Sequence, residues 1–212
     1  NVVLCVPAPE AARLIAPSDP KTAYAIQNIE YSALVSVTAL ARAENFPKAP
    51  SGVGVLIAPG ERANCLGILF NSCTFDGRAV KGWVALTLMY RGSTDRKAVD
   101  ATDAELRRQV AKDLALVLGY RGEAGTDDLK IAIHRATRAI PRYDARLAEA
   151  LESAARGFCS KPGRVLFGNY TGQVSLRGMV ERASALADSF LGDADPVSRA
   201  SGAARPAAQD SD

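Results

Sequence analysis

Four cysteines, at positions 5, 65, 73 and 159, and one histidine, His134, are the whole soft-ligand inventory of the chain. No two cysteines have C-x-x-C spacing. A zinc site needs four clustered Cys/His ligands, or three plus water, so no metal centre is expected. Four cysteines in 212 residues are also too sparse for a disulfide framework, and the expectation is reduced, mostly buried thiols in a cytoplasmic protein. His134 falls in the alternating run Leu129-Lys130-Ile131-Ala132-Ile133-His134-Arg135, on the face opposite Ile131 and Ile133. That reads as a solvated strand histidine rather than a general acid or base. A Ser-His-Asp triad would have to use it, and no G-x-S-x-G elbow is present. No catalytic residue is assigned.

The most informative stretch runs from Val165 to Ala183. A short apolar strand ends at Gly168, the chain turns with a second glycine at Gly172, and a helical pattern starts at Ser175. A helix start presents unpaired backbone N–H groups and a partial positive charge, and glycines let a ligand approach the backbone closely. This is the general form of an anion or cofactor seat, although glycines at such turns also serve the turn itself. A second glycine pattern, Gly52-Val53-Gly54, is rejected as a dinucleotide fingerprint, because no strand precedes it and Pro59-Gly60 stops any helix after it. No Walker-type G-x-x-x-x-G-K-[ST] occurs.

Around these residues the elements fall into two kinds. Residues 2–6 read as an apolar strand, buried on both faces as in a parallel sheet, closed by Pro7 and followed by a helix from Ala8 to Ile15. Strands are predicted at 34–40, 53–58, 65–70 and 83–90, separated by Pro/Gly turns that suit a meandering antiparallel sheet. A helix follows, with Thr102 and Glu105 as capping box, Leu106, Val110, Leu114 and Val117 on one face, and Gly119 as its stop. Then come a strand at 129–135, a helix from about Asp144 to Arg156, the strand Arg164–Phe167 and a helix from Ser175 to about Leu191. The last 20 residues lack periodicity and read as a disordered tail.

The expected fold class is therefore mixed α/β: an incomplete Rossmann-like layer at the chain ends with an inserted antiparallel-sheet domain. The expected divisions are 1–30 and 141–191 for the layer, 31–140 for the inserted domain and 192–212 for the tail. Composition is ordinarily globular, with 48% hydrophobic and 23% charged residues. A net charge of +3 gives no argument for a nucleic-acid partner. No apolar run is long enough to span a membrane, and no basic amphipathic anchor is evident.

Four blocks, in order, resemble the C-terminal half of flavin-containing amine-oxidase-like oxidoreductases, most closely the protoporphyrinogen oxidase type. They are the strand and proline turn at 2–17, the sheet segment at 52–92, the helix at 103–122 with Arg138-Ala139-Ile140-Pro141-Arg142-Tyr143 after it, and the strand–turn–helix at 164–188. The resemblance implies an FAD enzyme whose flavin takes hydride from a small-molecule substrate, a tetrapyrrole in the favoured case. The cofactor would do the redox chemistry, and the protein would supply positioning and an apolar cavity.

Carried over residue by residue, the resemblance places Pro7 and Ala8 near the cofactor. Gly168, Asn169 and Gly172 would approach its ribityl–pyrophosphate part or ring, and Val174, Ser175 and Leu176 would offer helix-start amides. Arg138, Pro141 and Tyr143 would face the substrate, Arg138 as a partner for a carboxylate. Related activities of the superfamily, such as desaturase or amine oxidase, are the alternatives, as is a non-catalytic derivative of the fold. Trp83, the one tryptophan, reads as core rather than as part of an aromatic cage. The family's N-terminal G-x-G-x-x-G half is missing from this sequence, so the chain reads as one part of a larger protein that would hold FAD weakly by itself. Family members often work at membranes, which keeps a peripheral membrane association among the expectations.

Overall fold

A computed structural model describes residues 1–92, 96–123 and 125–191. The chain divides into two compact units, each with its own core. Unit 1 comprises Asn1–Tyr31 and the described residues from Ile140 onward; unit 2 is Ser32–Ala139. The predicted tail lies outside the described residues.

In unit 1, strand β1 (Val2–Leu4) leads into helix α1 (Ala8–Ile15). Ala8, Ala11, Ala12 and Ile15 are buried, the spacing of one helical face, and proline in the first turn costs no intrahelical bond. Helix α2 (Pro20–Gln27) is started by Asp19, whose carboxylate accepts the Thr22 amide at 3.0 Å. The unit's remaining core helix, residues Ala145–Arg156, begins in the same way: Asp144 accepts the Leu147 amide at 3.2 Å, and Leu147, Ala150 and Ala154 are buried. Small residues at these contacts let the helices approach closely, and the core is completed by Ile26, Phe158, Leu166 and Tyr170. β1 pairs in parallel with the strand Arg164–Leu166, in the register Val2↔Arg164 to Leu4↔Leu166. The expectation that β1 is buried on both faces is corrected: Val2 is exposed and Val3 and Leu4 are half-buried. Within the described residues that sheet has two strands, too few to cover β1.

Unit 2 is built on a five-stranded sheet in the order β3-β4-β5-β2-β6. Its strands are β2 (Tyr31–Arg42), β3 (Gly54–Leu56), β4 (Gly67–Leu69), β5 (Trp83–Arg91) and β6 (Leu129–Pro141). β2 alternates strictly, with Val35, Val37, Ala39 and Ala41 buried, and pairs antiparallel with β5 from Leu34↔Arg91 to Arg42↔Trp83. The buried face takes Leu106, Val110 and Leu114 from a helix over Asp103–Leu118. That helix has the predicted Thr102/Glu105 capping box and ends on Gly119 at φ +69°. In chain order the helices after α2 are α3 (Asn71–Thr74), α4 (Lys97–Asp100), α5 (Asp103–Leu118), α6 (Ala145–Arg156) and α7 (Leu176–Leu191), and the strand Arg164–Leu166 is β7. The sequence reading passed over α2, α3 and α4, and it ended β6 six residues early.

Two further expectations need correction. Trp83 is half-buried rather than core, with the Arg42 guanidinium 4.4 Å and the Lys130 ammonium 5.3 Å from its ring centre. All four cysteines are free, but only Cys65 is buried; Cys159 is half-buried and Cys5 and Cys73 are exposed. His134 is exposed on β6.

Candidate functional site

After β7, the backbone folds into a hydrogen-bonded turn. The Thr171 amide and hydroxyl donate to the Gly168 carbonyl at 3.0 and 2.8 Å, and the Gly168 amide donates to Thr171 Oγ1 at 3.2 Å. Tyr170 is wholly buried, and a Cβ on Gly168 would stand 2.7 Å from its ring. Ring packing alone therefore demands a glycine at 168. Gly172 adopts φ +112°, which favours glycine for its own conformation. Ser175 then starts α7, its Oγ accepting the Gly178 amide at 3.1 Å.

Two side chains from elsewhere in unit 1 hold this turn. The Tyr143 hydroxyl donates to the Asn169 carbonyl at 2.6 Å. Burial pushes the Tyr143 phenol above its ordinary value, against a smaller opposing pull from the Gly172 backbone and the Arg182 charge, so it stays a donor. Arg182, on α7, donates to the Thr171 carbonyl and sits 6.0 Å from the Phe167 ring centre.

The segment beyond the turn is open. Gly172, Val174, Ser175 and Leu176 are exposed, Leu176 by 82%. The first turn of α7 holds no acidic residue, so its positive end is not offset from within the helix. Pro7 is exposed, whereas Ala8 is fully buried and its amide donates to the Tyr31 hydroxyl at 3.3 Å. Asn169 is half-buried. Tyr143 is thus brought to Asn169 and Gly172. Pro141 is buried at the end of β6, and Arg138 is exposed three residues earlier on the same strand. Arg138 shares its strand face with Lys130, Ala132 and His134, away from the core side chains Leu129, Ile131 and Ile133. Arg182 was not among the expected residues, although its spacing from Ser175 and Gly178 puts all three on one face of α7. Among the described residues, no three His, Cys, Asp or Glu side chains are grouped to hold a metal, and no helix is long and apolar enough to cross a membrane.

A mixed α/β chain whose last sheet-to-helix turn is left open at a helix start has the form of a cofactor-binding layer. Residues 1–185 match the model of the flavin-containing amine oxidoreductases, and the chain belongs to that family. The cofactor this implies is FAD. Among its relatives, protoporphyrinogen oxidase 1, chloroplastic, of Arabidopsis thaliana is 27% identical over 196 residues, which are 86% of this chain and 35% of that protein. Coproporphyrinogen III oxidase of Mycobacterium tuberculosis is 29% identical over 192 residues, 90% of this chain and 40% of that protein. A crystal structure of reduced UDP-galactopyranose mutase has the same fold, with a TM-score of 0.66 at 12% identity, over 94% of this chain and 43% of the other. The chain thus spans well under half the length of these relatives.

The residues present fit a flavin. The helix start at Ser175–Leu176 is exposed and carries no anion of its own, and the glycine before it presents no side chain.

Proposed function

We propose that this chain supplies the C-terminal part of an FAD-dependent oxidoreductase that oxidises a porphyrinogen. In this reading unit 1 closes over the cofactor and unit 2 binds substrate. The observation that carries it is the open Gly172–Leu176 segment leading into α7, which follows directly on the turn that Tyr143 and Arg182 hold at Asn169 and Thr171. Bound FAD would supply the capacity to accept hydride. The chain's own residues position it: the α7 amides offer donors, Gly172 keeps the approach clear, and Pro7 covers from the start of α1. Arg138 is proposed to pair with a substrate carboxylate, and Pro141 and Tyr143 are each proposed as substrate-contacting residues.

The porphyrinogen reading is supported by the names of the two relatives above. It also suits the sheet face of unit 2 turned away from α5. By strand alternation that face carries Leu34, Ser36, Thr38 and Leu40 from β2 and Met89 from β5, small or apolar groups able to meet a flat, largely apolar molecule, with Arg91 at one end and Arg42 and Trp83 at the other. An amine substrate is less well supported, since the chain's one tryptophan is already covered by Arg42 and Lys130.

The test is an assay on a polypeptide that joins this chain to a nucleotide-binding portion of the same family and holds FAD stoichiometrically. Freshly reduced protoporphyrinogen and coproporphyrinogen are supplied, and porphyrin fluorescence is followed. Fluorescence rising well above the autoxidation rate is expected for one of the two. A fully flavinated protein that leaves both rates at the autoxidation level refutes the reading. Arg138→Ala is expected to raise KM by about tenfold with kcat nearly kept, as for loss of a charged hydrogen bond made equally in ground and transition states.

A further inference from the structure

One corner of the five-stranded sheet gathers charges that the reading above leaves unused. β2 ends at Arg42, which pairs across the sheet with Trp83, the first residue of β5. The Arg42 amide donates to the Asp128 carbonyl at 3.0 Å, which brings the start of β6, and with it Lys130, to the same corner. Two cations therefore share one ring. The Arg42 guanidinium carbon lies 4.4 Å and the Lys130 nitrogen 5.3 Å from the Trp83 ring centre. Attraction to the ring holds each cation near a fixed place without giving its N–H groups an acceptor.

The corner has more donors than acceptors. Among the described residues Arg42 makes one ion pair, with Asp128 Oδ1 3.6 Å from its Nε, too far for a hydrogen bond. That contact lies on the Nε side and leaves the two terminal nitrogens. No hydrogen bond among the described residues uses the Arg42 guanidinium, and Lys130 has neither a hydrogen bond nor an ion pair. Glu44 and Asp127, the other acids close in sequence, pair with neither cation. Within the cluster two positive charges thus face one negative charge. The Arg42 side chain is 41% exposed, so solutes reach it although most of it is held against protein. Leu40 points to the same side of β2 and is half-buried, so an apolar surface adjoins the charged corner.

We propose that this corner is a carboxylate-binding site for a small organic acid with a flat apolar body. The carboxylate takes two parallel hydrogen bonds from the terminal nitrogens of Arg42, Lys130 supplies the second positive charge, and the apolar body lies on Leu40. A single negative charge matches the excess in the cluster, which a phosphate dianion would exceed. The site is independent of the flavin reading, because all of its residues belong to unit 2 and its test needs no cofactor.

Sodium benzoate is the probe, with benzamide as the uncharged comparison of the same shape. Each is titrated into the chain at an ionic strength held constant with sodium chloride. Trp83 is the one tryptophan of the chain, so its indole N–H gives a single NMR resonance that reports on the corner directly. A saturable shift of that resonance is expected for benzoate, and benzamide should bind about tenfold less tightly. Arg42→Gln should weaken benzoate binding about tenfold and Lys130→Gln about threefold. Arg42→Lys should fall between the unaltered chain and Arg42→Gln, since it keeps the charge and loses the fork. Equal affinity for benzoate and benzamide, undiminished binding to Arg42→Gln, or no saturable shift in the unaltered chain overturns the proposal. Tighter binding of inorganic phosphate than of benzoate overturns the choice of a carboxylate. The comparison of benzoate, benzamide and phosphate uses the unaltered chain, so it stands even if Arg42→Gln disturbs the ring.

Discussion

Asp19 illustrates what one side chain contributes. Its carboxyl is held below the ordinary value of 3.8, first by hydrogen bonding to the Thr22 side chain and then by the Thr22 backbone. A depressed folded-state value means that the stabilisation is full above the unfolded value and is lost as the pH falls through the folded one. Asp19→Ala should therefore cost about 1 kcal/mol at neutral pH, as loss of a helix cap does, with a penalty that shrinks as the solution is acidified past 3.8. Urea unfolding of both proteins across that range checks it; a pH-independent difference would refute it. The cysteines offer a second check. Burial first, and then the Asp113 charge, push the Cys65 thiol up to about 11, so at mildly alkaline pH only a small fraction is thiolate. Iodoacetamide should modify exposed Cys5 and Cys73 well before Cys65, as peptide mass mapping over time will show; early loss of Cys65 would contradict its burial. At this scale the sequence was partly legible. Ser175 and Gly172 stand out because helix starts and turns have strong local preferences. The Tyr143–Asn169 contact spans 26 residues, so no local pattern announces it.

Elements were more readable than contacts. α5 was foreseeable from its cap, its apolar face and its terminal glycine, because all three act within a few residues of each other. The three short helices were missed for the converse reason: α3 and α4 have four residues each, too few for a 3.6-residue period to show, and α2 has eight. β3 and β4 are shorter than the apolar runs that suggested them, since pairing rather than apolarity sets where a strand ends. Their pairing depends on a close approach. A Cβ on Gly67 would stand 2.6 Å from the Val55 carbonyl oxygen, a backbone atom of the facing strand. Gly67→Ala is expected to destabilise unit 2 by about 1–3 kcal/mol, the range for overpacking, and to loosen β3 first. Faster amide exchange at Ile57, whose N–H donates to the Leu66 carbonyl at 3.0 Å, would report that loosening. Unchanged exchange there would show that the strands can separate without loss.

For the whole chain, the governing fact is that apolar burial is divided between two clusters with no shared members. One gathers Val35, Val37, Ile68, Leu86, Leu88 and Val110 in unit 2; the other gathers Ala8, Ala12, Ile15, Ile26, Leu147 and Tyr170 in unit 1. The sequence hinted at this division, because apolar parallel-type strands appear at the ends and alternating strands in the middle. It could not show which side chains share a core, since those meetings join residues more than a hundred positions apart, such as Ala8 and Leu147. Separate cores imply separable stability. Leu88→Ala removes a fully buried side chain at the centre of the larger sheet and should cost about 2–5 kcal/mol. The loss should be local: amide protection falls across β2, β5 and α5, while α1, α2 and α6 keep theirs. Hydrogen exchange read by mass spectrometry resolves the two sets of peptides. If protection falls equally in both, the chain unfolds as one cooperative body and the division into two cores has no energetic meaning. If it falls only in unit 2, substitutions meant to alter substrate binding there can be made without disturbing the turn proposed to hold the flavin.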